Sequence, residues 1–113
     1  MIAGSGSAGL GIASALAAGM MAEEDGLNMQ QALERFWIVD ANGLLTKAAG
    51  DSLTGEQQMF ARADTSERTS LLETVKSVQP TIMIGATGCA GLFSEEIIRE
   101  MKKGTPCPLV FPL

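Results

Sequence analysis

Met1-Ile2-Ala3-Gly4-Ser5-Gly6-Ser7-Ala8-Gly9-Leu10-Gly11 is the stretch whose reading decides the fold. A short apolar run, Met1 to Ala3, leads into Gly4-x-Gly6-x-x-Gly9, and an alanine-rich helical pattern follows at once. Strand, glycine turn and helix in that order are the context in which the triplet signals a dinucleotide-binding loop. Gly4 suits the tight turn out of the strand, Gly6 lets a pyrophosphate approach the backbone, and Gly9 lets the helix lie close on the sheet. The unpaired N–H groups and positive dipole end of the helix would then face the phosphates.

An isolated triplet of this kind also arises from packing alone, so its surroundings matter. Phe36-Trp37-Ile38-Val39-Asp40 is an apolar, β-prone run that ends in an acid. An acid at the end of the second strand is the acceptor that adenosine ribose hydroxyls require. The distance from Gly9 to Asp40 exceeds the usual ~20 residues. Asn28 to Arg35 accounts for the excess as a short inserted surface helix, with Asn28 as its N-cap.

The rest of the chain continues the alternation. Ser7 to about Glu23 reads as a helix with Leu10, Ala13, Leu16, Ala17 and Met20 on one face. Asn42-Gly43 turns the chain, Leu44-Leu45-Thr46 extends it briefly, Gly50 to Glu56 reads as loop, and Gln57 to Ala61 as one helical turn. Ser66 to Val78 reads as an amphipathic helix stopped by Pro80. Thr81 to Ile84 is a buried strand, and Gly85-Ala86-Thr87-Gly88-Cys89-Ala90-Gly91 is a second small-residue loop. Ser94 caps a further helix that Gly104 ends, and Pro108 to Leu113 forms a last strand. The expected fold is α/β: a Rossmann-type parallel sheet with flanking helices, truncated to about four strands. Both small-residue loops follow strands, at the sheet edge where ligands bind.

Composition narrows the function classes. The 113 residues allow one domain, and 46% hydrophobic residues suit a packed core. A net charge of −5, with no basic run longer than Lys102-Lys103, argues against nucleic-acid and anionic-membrane partners. No apolar run reaches the ~18–20 residues of a membrane span. The segment Ile2 to Met21 lacks the basic region of a signal peptide. No His and no Tyr are present, and with only two Cys this argues against a zinc site, while the commonest general base is absent. Cys89 and Cys107 read as reduced and buried. Cys89 could be activated near a helix N-terminus, but the structural role is the ordinary one. Met20, Met21, Met83 and Met101 read as core filler, Trp37 as a strand residue packed under a helix, and Glu95 and Glu96 as first-turn charges.

With those residues in view, the chain resembles the NAD(P)-binding domain of malic enzymes. The resemblance is carried by Gly4-Ser5-Gly6-Ser7-Ala8-Gly9-Leu10-Gly11-Ile12-Ala13, by Trp37-Ile38-Val39-Asp40 with Asn42-Gly43-Leu44-Leu45, and by Leu53-Thr54 ahead of Phe60. It continues through Lys76-Ser77-Val78-Gln79-Pro80-Thr81, Ile84-Gly85-Ala86-Thr87-Gly88, Leu92-Phe93-Ser94-Glu95-Glu96 and Pro108-Leu109-Val110-Phe111-Pro112-Leu113. What it implies is a part of an enzyme that converts malate to pyruvate and CO2 while reducing NAD(P)+. The catalytic Tyr and Lys and the acids that hold Mg2+ or Mn2+ would lie upstream of Met1, and the full-length form would be a homo-oligomer. The compartment, cytoplasmic or mitochondrial, is not readable from these residues.

Carried over residue by residue, Gly4, Gly6, Ser7, Ala8 and Gly9 would approach the pyrophosphate. Asp40 would accept from the adenosine ribose, and Gly85, Ala86 and Thr87 would flank the nicotinamide-side ribose. In NADP-using relatives a Lys lies a few residues before the aromatic corresponding to Phe60, whereas Gln57 and Gln58 stand here. With Asp40 as a negative charge where a 2′-phosphate would sit, the resemblance implies NAD rather than NADP. The reading from a different class is a non-catalytic nucleotide-binding or interaction module derived from such a domain. A sheet this small would leave edges and apolar surface open, so the chain by itself is expected to be marginally stable or to associate.

Overall fold

A computed structural model describes residues 1–87 and 93–112. Gly88, Cys89, Ala90, Gly91 and Leu92 of the second small-residue loop, and Leu113, lie outside the described residues, and with them the reading of Cys89. The first strand, β1 (Ile2–Ala3), leads into helix α1 (Ser7–Glu23), and the short helix α2 (Met29–Leu33) follows. Next come β2 (Ile38–Asp40), β3 (Gly43–Leu44), a 3-10 segment (Lys47–Ser52), α3 (Gly55–Phe60) and α4 (Leu71–Val78). The chain closes with β4 (Ile82–Gly85), α5 (Glu95–Gly104) and β5 (Leu109–Pro112).

The five strands stand in the order β3-β2-β1-β4-β5. β1 lies between β2 and β4, parallel to both, with Ile2 opposite Ile38 and Ile84. β4 and β5 are also parallel. Among the described residues only β3 runs antiparallel, folded back on β2 by a tight turn with Leu44 opposite Val39. The expected parallel sheet of four strands is therefore a five-stranded mixed sheet, because the short stretch after Asn42-Gly43 pairs as a hairpin. Between β1 and β4 the connections diverge, β1 leading to β2 on one side and β4 to β5 on the other. That divergence opens a crevice at the carboxyl ends of the two strands.

Side chains alternate across the pleat and separate two cores. On one face Ile2 and Ile38 pack with Leu10, Ala13 and Ala17 of α1, Ala32 of α2, and Phe36 and Phe60. The two phenylalanine rings meet edge to face at 5.5 Å. On the other face Met83 packs with Val75 of α4 and with Ile97 and Met101 of α5. Met83 and Met101 are fully buried, and Met20 and Met21 pack against the first core, as gap-filling methionines do.

Several elements differ from the sequence reading, each for a local reason. α4 begins at Leu71 and not at Ser66, because Ser70 caps it by accepting from the Glu73 N–H. The residues before Ser70 are instead held along β3, where the Thr69 carbonyl accepts from the Leu44 N–H at 2.9 Å. Part of the stretch read as loop between Gly50 and Glu56 is the 3-10 segment, and α3 starts at Gly55. Leu16 points to solvent, and the burial of β4 alternates, with Ile82 exposed. Trp37 precedes β2 rather than lying in it and is half-buried, with the Arg62 guanidinium 3.8 Å from its ring centroid. Arg62 also bonds the exposed Asp64, whose carboxyl is held below its ordinary pKa by that hydrogen bond. Cys107 is exposed rather than buried. Among the described residues no helix is long and apolar enough to cross a membrane.

Among the described glycines, the closest backbone approach lies where α1 meets the end of β1. A Cβ on Gly9 would run into the Gly4 carbonyl oxygen, whereas Gly11, two residues on, has nothing within 4 Å of its Cβ position. Gly9→Ala is expected to destabilise the chain by about 3 kcal/mol. Gly11→Ala should instead stabilise it by about 0.5–1 kcal/mol through helix propensity. Urea denaturation of the two variants checks both signs. Ile82, Leu109 and Phe111 are 43%, 49% and 49% exposed on β4 and the edge strand β5. Sedimentation velocity at rising concentration should therefore show self-association.

Candidate nucleotide site

The crevice is built first by backbone. Gly4 leaves β1 at φ +127°, a conformation that disfavours every L side chain. Its Cβ position lies 2.8 Å from the Ala86 carbonyl oxygen, so the loops after β1 and β4 touch there. The Ala86 N–H in turn donates to the Ala3 carbonyl at 2.8 Å. Gly4 and Gly9 are buried in this contact, while Gly6, Ser7 and Ala8 are exposed on the crevice side of it. Nothing lies within 4 Å of the Gly6 Cβ position.

The helix that starts here differs from the others in how it begins. Asn28, Thr54, Ser70 and Ser94 cap α2, α3, α4 and α5, each side chain accepting a hydrogen bond from the backbone N–H three residues on. α1 has Gly6 at its N-cap, no side-chain capping bond and no acid in its first turn. Its first amides therefore have neither a side-chain cap nor an acid of the helix's own first turn.

Polar side chains gather on the β2 side of this loop. Ser5, 9% exposed, donates from its hydroxyl to Asp40 Oδ2 at 2.9 Å. Asp40 Oδ1 accepts from the Asn42 N–H at 2.8 Å. The amide of Gln57 reaches across from α3, donating to the Ser5 carbonyl at 3.1 Å and sharing a 3.2 Å contact with its hydroxyl. The same amide closes the capping box of α3, its oxygen accepting from the Thr54 N–H at 3.0 Å. The guanidinium of Arg68 stands 3.7 Å from Asp40 Oδ1.

The residues named from the sequence thus fall into one place. Gly4, Gly6, Ser7, Ala8 and Gly9 form the turn and helix start, and Asp40 is joined to the turn through Ser5. Gly85, the last residue of β4 rather than part of the loop, stands opposite Ala3, with Ala86 and Thr87 beside Gly4. Arg68 was missed. It lies in an irregular segment far along the chain from Asp40, and neither periodicity nor motif spacing marks it. Ser5 was legible only as a spacer in the glycine triplet, although a small polar residue next to the first glycine is a usable signal. Among the described residues no three His, Cys, Asp or Glu side chains converge to hold a metal ion.

Gln57 ties helix α3 to the glycine turn with one side chain. Gln57→Ala should cost about 1–2 kcal/mol through the lost cap and loop bonds. Urea denaturation with and without the substitution measures it.

Comparison with known proteins gives this geometry a context. A family model described as "Malic enzyme, NAD binding domain" matches residues 1–113. The chain is 43% identical to an NADP-dependent malic enzyme of Dictyostelium discoideum, the alignment covering 97% of this chain and 20% of that protein. It is 44% identical to an NAD-dependent malic enzyme of Proteus mirabilis and 43% identical to one of Shewanella sediminis, again over 97% of this chain and 20% of each relative. The chain therefore spans about a fifth of the length of the curated relatives it matches.

Proposed function

Because the chain belongs to the family of malic enzyme NAD-binding domains, we propose that it binds the dinucleotide of an enzyme that oxidatively decarboxylates malate to pyruvate and CO2. The observation that carries the reading is the uncapped start of α1 beside the open backbone of Gly6, with the Asp40 carboxylate next to it. In this reading the pyrophosphate lies against Gly6, Ser7 and Ala8, where α1 offers unpaired N–H groups and a positive dipole end. Asp40 accepts from the adenosine ribose hydroxyls. Ser5 and the Asn42 N–H each occupy one lone-pair direction of the carboxylate and orient the rest. Gly85, Ala86 and Thr87 flank the other ribose, across the crevice. The fit is physical: a side chain at Gly4 or Gly9 would collide with backbone, and one at Gly6 would fill the space a pyrophosphate needs.

When bound, the nicotinamide ring accepts the hydride that leaves malate. This chain's residues hold and orient that cofactor, and no catalytic residue is assigned among them. The described residues offer no converging donor set for Mg2+ or Mn2+. The substrate domain, the metal ligands and the homo-oligomeric assembly are read as belonging to the longer protein. By this reading the isolated chain binds cofactor without turning over malate.

NAD is the favoured dinucleotide. Asp40 places a negative charge at the ribose 2′ position, and Gln57 offers an uncharged amide where an ammonium would attract a phosphate. The names of the relatives do not decide the matter, one being NADP-dependent and the others NAD-dependent. A non-catalytic module descended from such a domain is not favoured, because these relatives, matched over nearly the whole chain, are named as malic enzymes.

Calorimetric titration with NAD+ tests the reading. Asp40→Ala should weaken NAD+ at least ~10-fold by removing charge-assisted hydrogen bonds to the ribose. Gly6→Val should abolish binding while lowering stability by no more than about 1 kcal/mol of capping preference, because its Cβ meets no protein atom within 4 Å. A folded chain that binds no NAD+ would overturn the assignment.

A further inference from the structure

We propose that Arg68 is a specificity-determining residue that admits the 2′-phosphate of NADP beside Asp40, so that the site accepts both dinucleotides with NAD ahead. The proposal rests on the nucleotide reading above and adds a residue to it. Arg68 has a fixed backbone and an unanchored head. Its carbonyl oxygen lies 2.6 Å from the Cβ position of Gly43, which enters β3 at φ +106°. The next carbonyl, Thr69, accepts from the Leu44 N–H at 2.9 Å. These contacts hold the segment along the hairpin and place the side chain of Arg68 beside the end of β2.

The guanidinium is 3.7 Å from Asp40 Oδ1, close enough for an ion pair and too far for a hydrogen bond. Among the described residues it donates no hydrogen bond, so its planar fork of donors remains open to a second anion. Lys47 and Arg62, the cations beside β2 at its amino end, are engaged away from Asp40. Lys47 donates to the Gln58 carbonyl at 3.0 Å, and Arg62 lies on Trp37 and pairs with Asp64. Arg68 is the cation paired with Asp40, and it offsets the charge by which that carboxylate repels a phosphate. A carboxylate suits the ribose diol of NAD, and an arginine nearby suits the phosphate of NADP. The two stand together here, each on its own segment: Asp40 at the end of β2, Arg68 before α4.

The test isolates the adenosine end. Adenosine 5′-monophosphate and adenosine 2′,5′-bisphosphate differ only in the 2′-phosphate, and each is titrated calorimetrically into the chain and into Arg68→Gln. The expected result is binding of both by the original chain. Arg68→Gln should weaken the bisphosphate ~10-fold or more and leave the monophosphate within ~3-fold. Arg68→Lys, which keeps the charge and loses the fork, should fall between the two. NADP+ and NAD+ should repeat the same split. A parallel loss of both ligands in Arg68→Gln, at an unchanged urea midpoint, would make Arg68 a merely structural residue and overturn the proposal. So would binding of the monophosphate by the original chain without the bisphosphate. Failure of NAD+ and both adenosine ligands to bind would instead overturn the nucleotide site itself, and the role of Arg68 with it.

Discussion

The contact between the Gly4 carbonyl and the backbone of Gly9 is the constraint on which the remainder depends. It brings α1 down onto the end of the central strand with no side chain between them. Because α1 starts so close to β1, its first turn emerges directly over the sheet edge, and its apolar stripe falls on Ile2 and Ile38. The same turn carries Gly4 against Ala86, which couples the two crevice walls through backbone alone. Backbone contacts of this kind do not adjust as side-chain packing does, so the shape of the crevice is built into the fold.

Charge is arranged around that shape with comparable economy. Ser5 and Gln57 form a chain of hydrogen bonds from α3 through the glycine turn to Asp40. Asn42, at the hairpin, holds the other carboxylate oxygen. One carboxylate is thus oriented from two directions, and the α1 terminus beside it has no side-chain cap. An acid for hydroxyl groups next to an uncapped helix end for phosphates is the polarity an adenosine diphosphate moiety presents in reverse.

The functional weight of the chain follows from its share of its relatives. A segment covering about 20% of each related malic enzyme contains the sheet edge and the glycine turn, with no converging metal donors among its described residues. Its contribution, in the proposed reading, is orientation: the cofactor is held so that its reactive ring is presented to chemistry organised elsewhere. Positioning of that kind can supply a large part of a rate enhancement without any residue touching the reacting bond.

Sequence by itself determined what depends on neighbours along the chain. The glycine spacing, the α1 boundaries, the Asn28 and Ser94 caps and the acid closing β2 were legible because turns, caps and strand ends are local chemistry. The malic-enzyme resemblance was legible too, from several ordered blocks. What tertiary structure decided was everything that depends on contact between distant segments. β3 became a hairpin strand only because β2 offered it an edge, and α4 lost its first turn because residues before Ser70 bond to that hairpin instead. Two partners of Asp40, Ser5 and Arg68, come from distant segments, whereas the Asn42 N–H is a local turn contact. Arg68 carries no local signal, being a charged residue in an irregular stretch, and its meaning lies wholly in its distance to one carboxylate. Periodicity reports which face of an element is buried, but ion pairs across a fold are set by where the backbone returns.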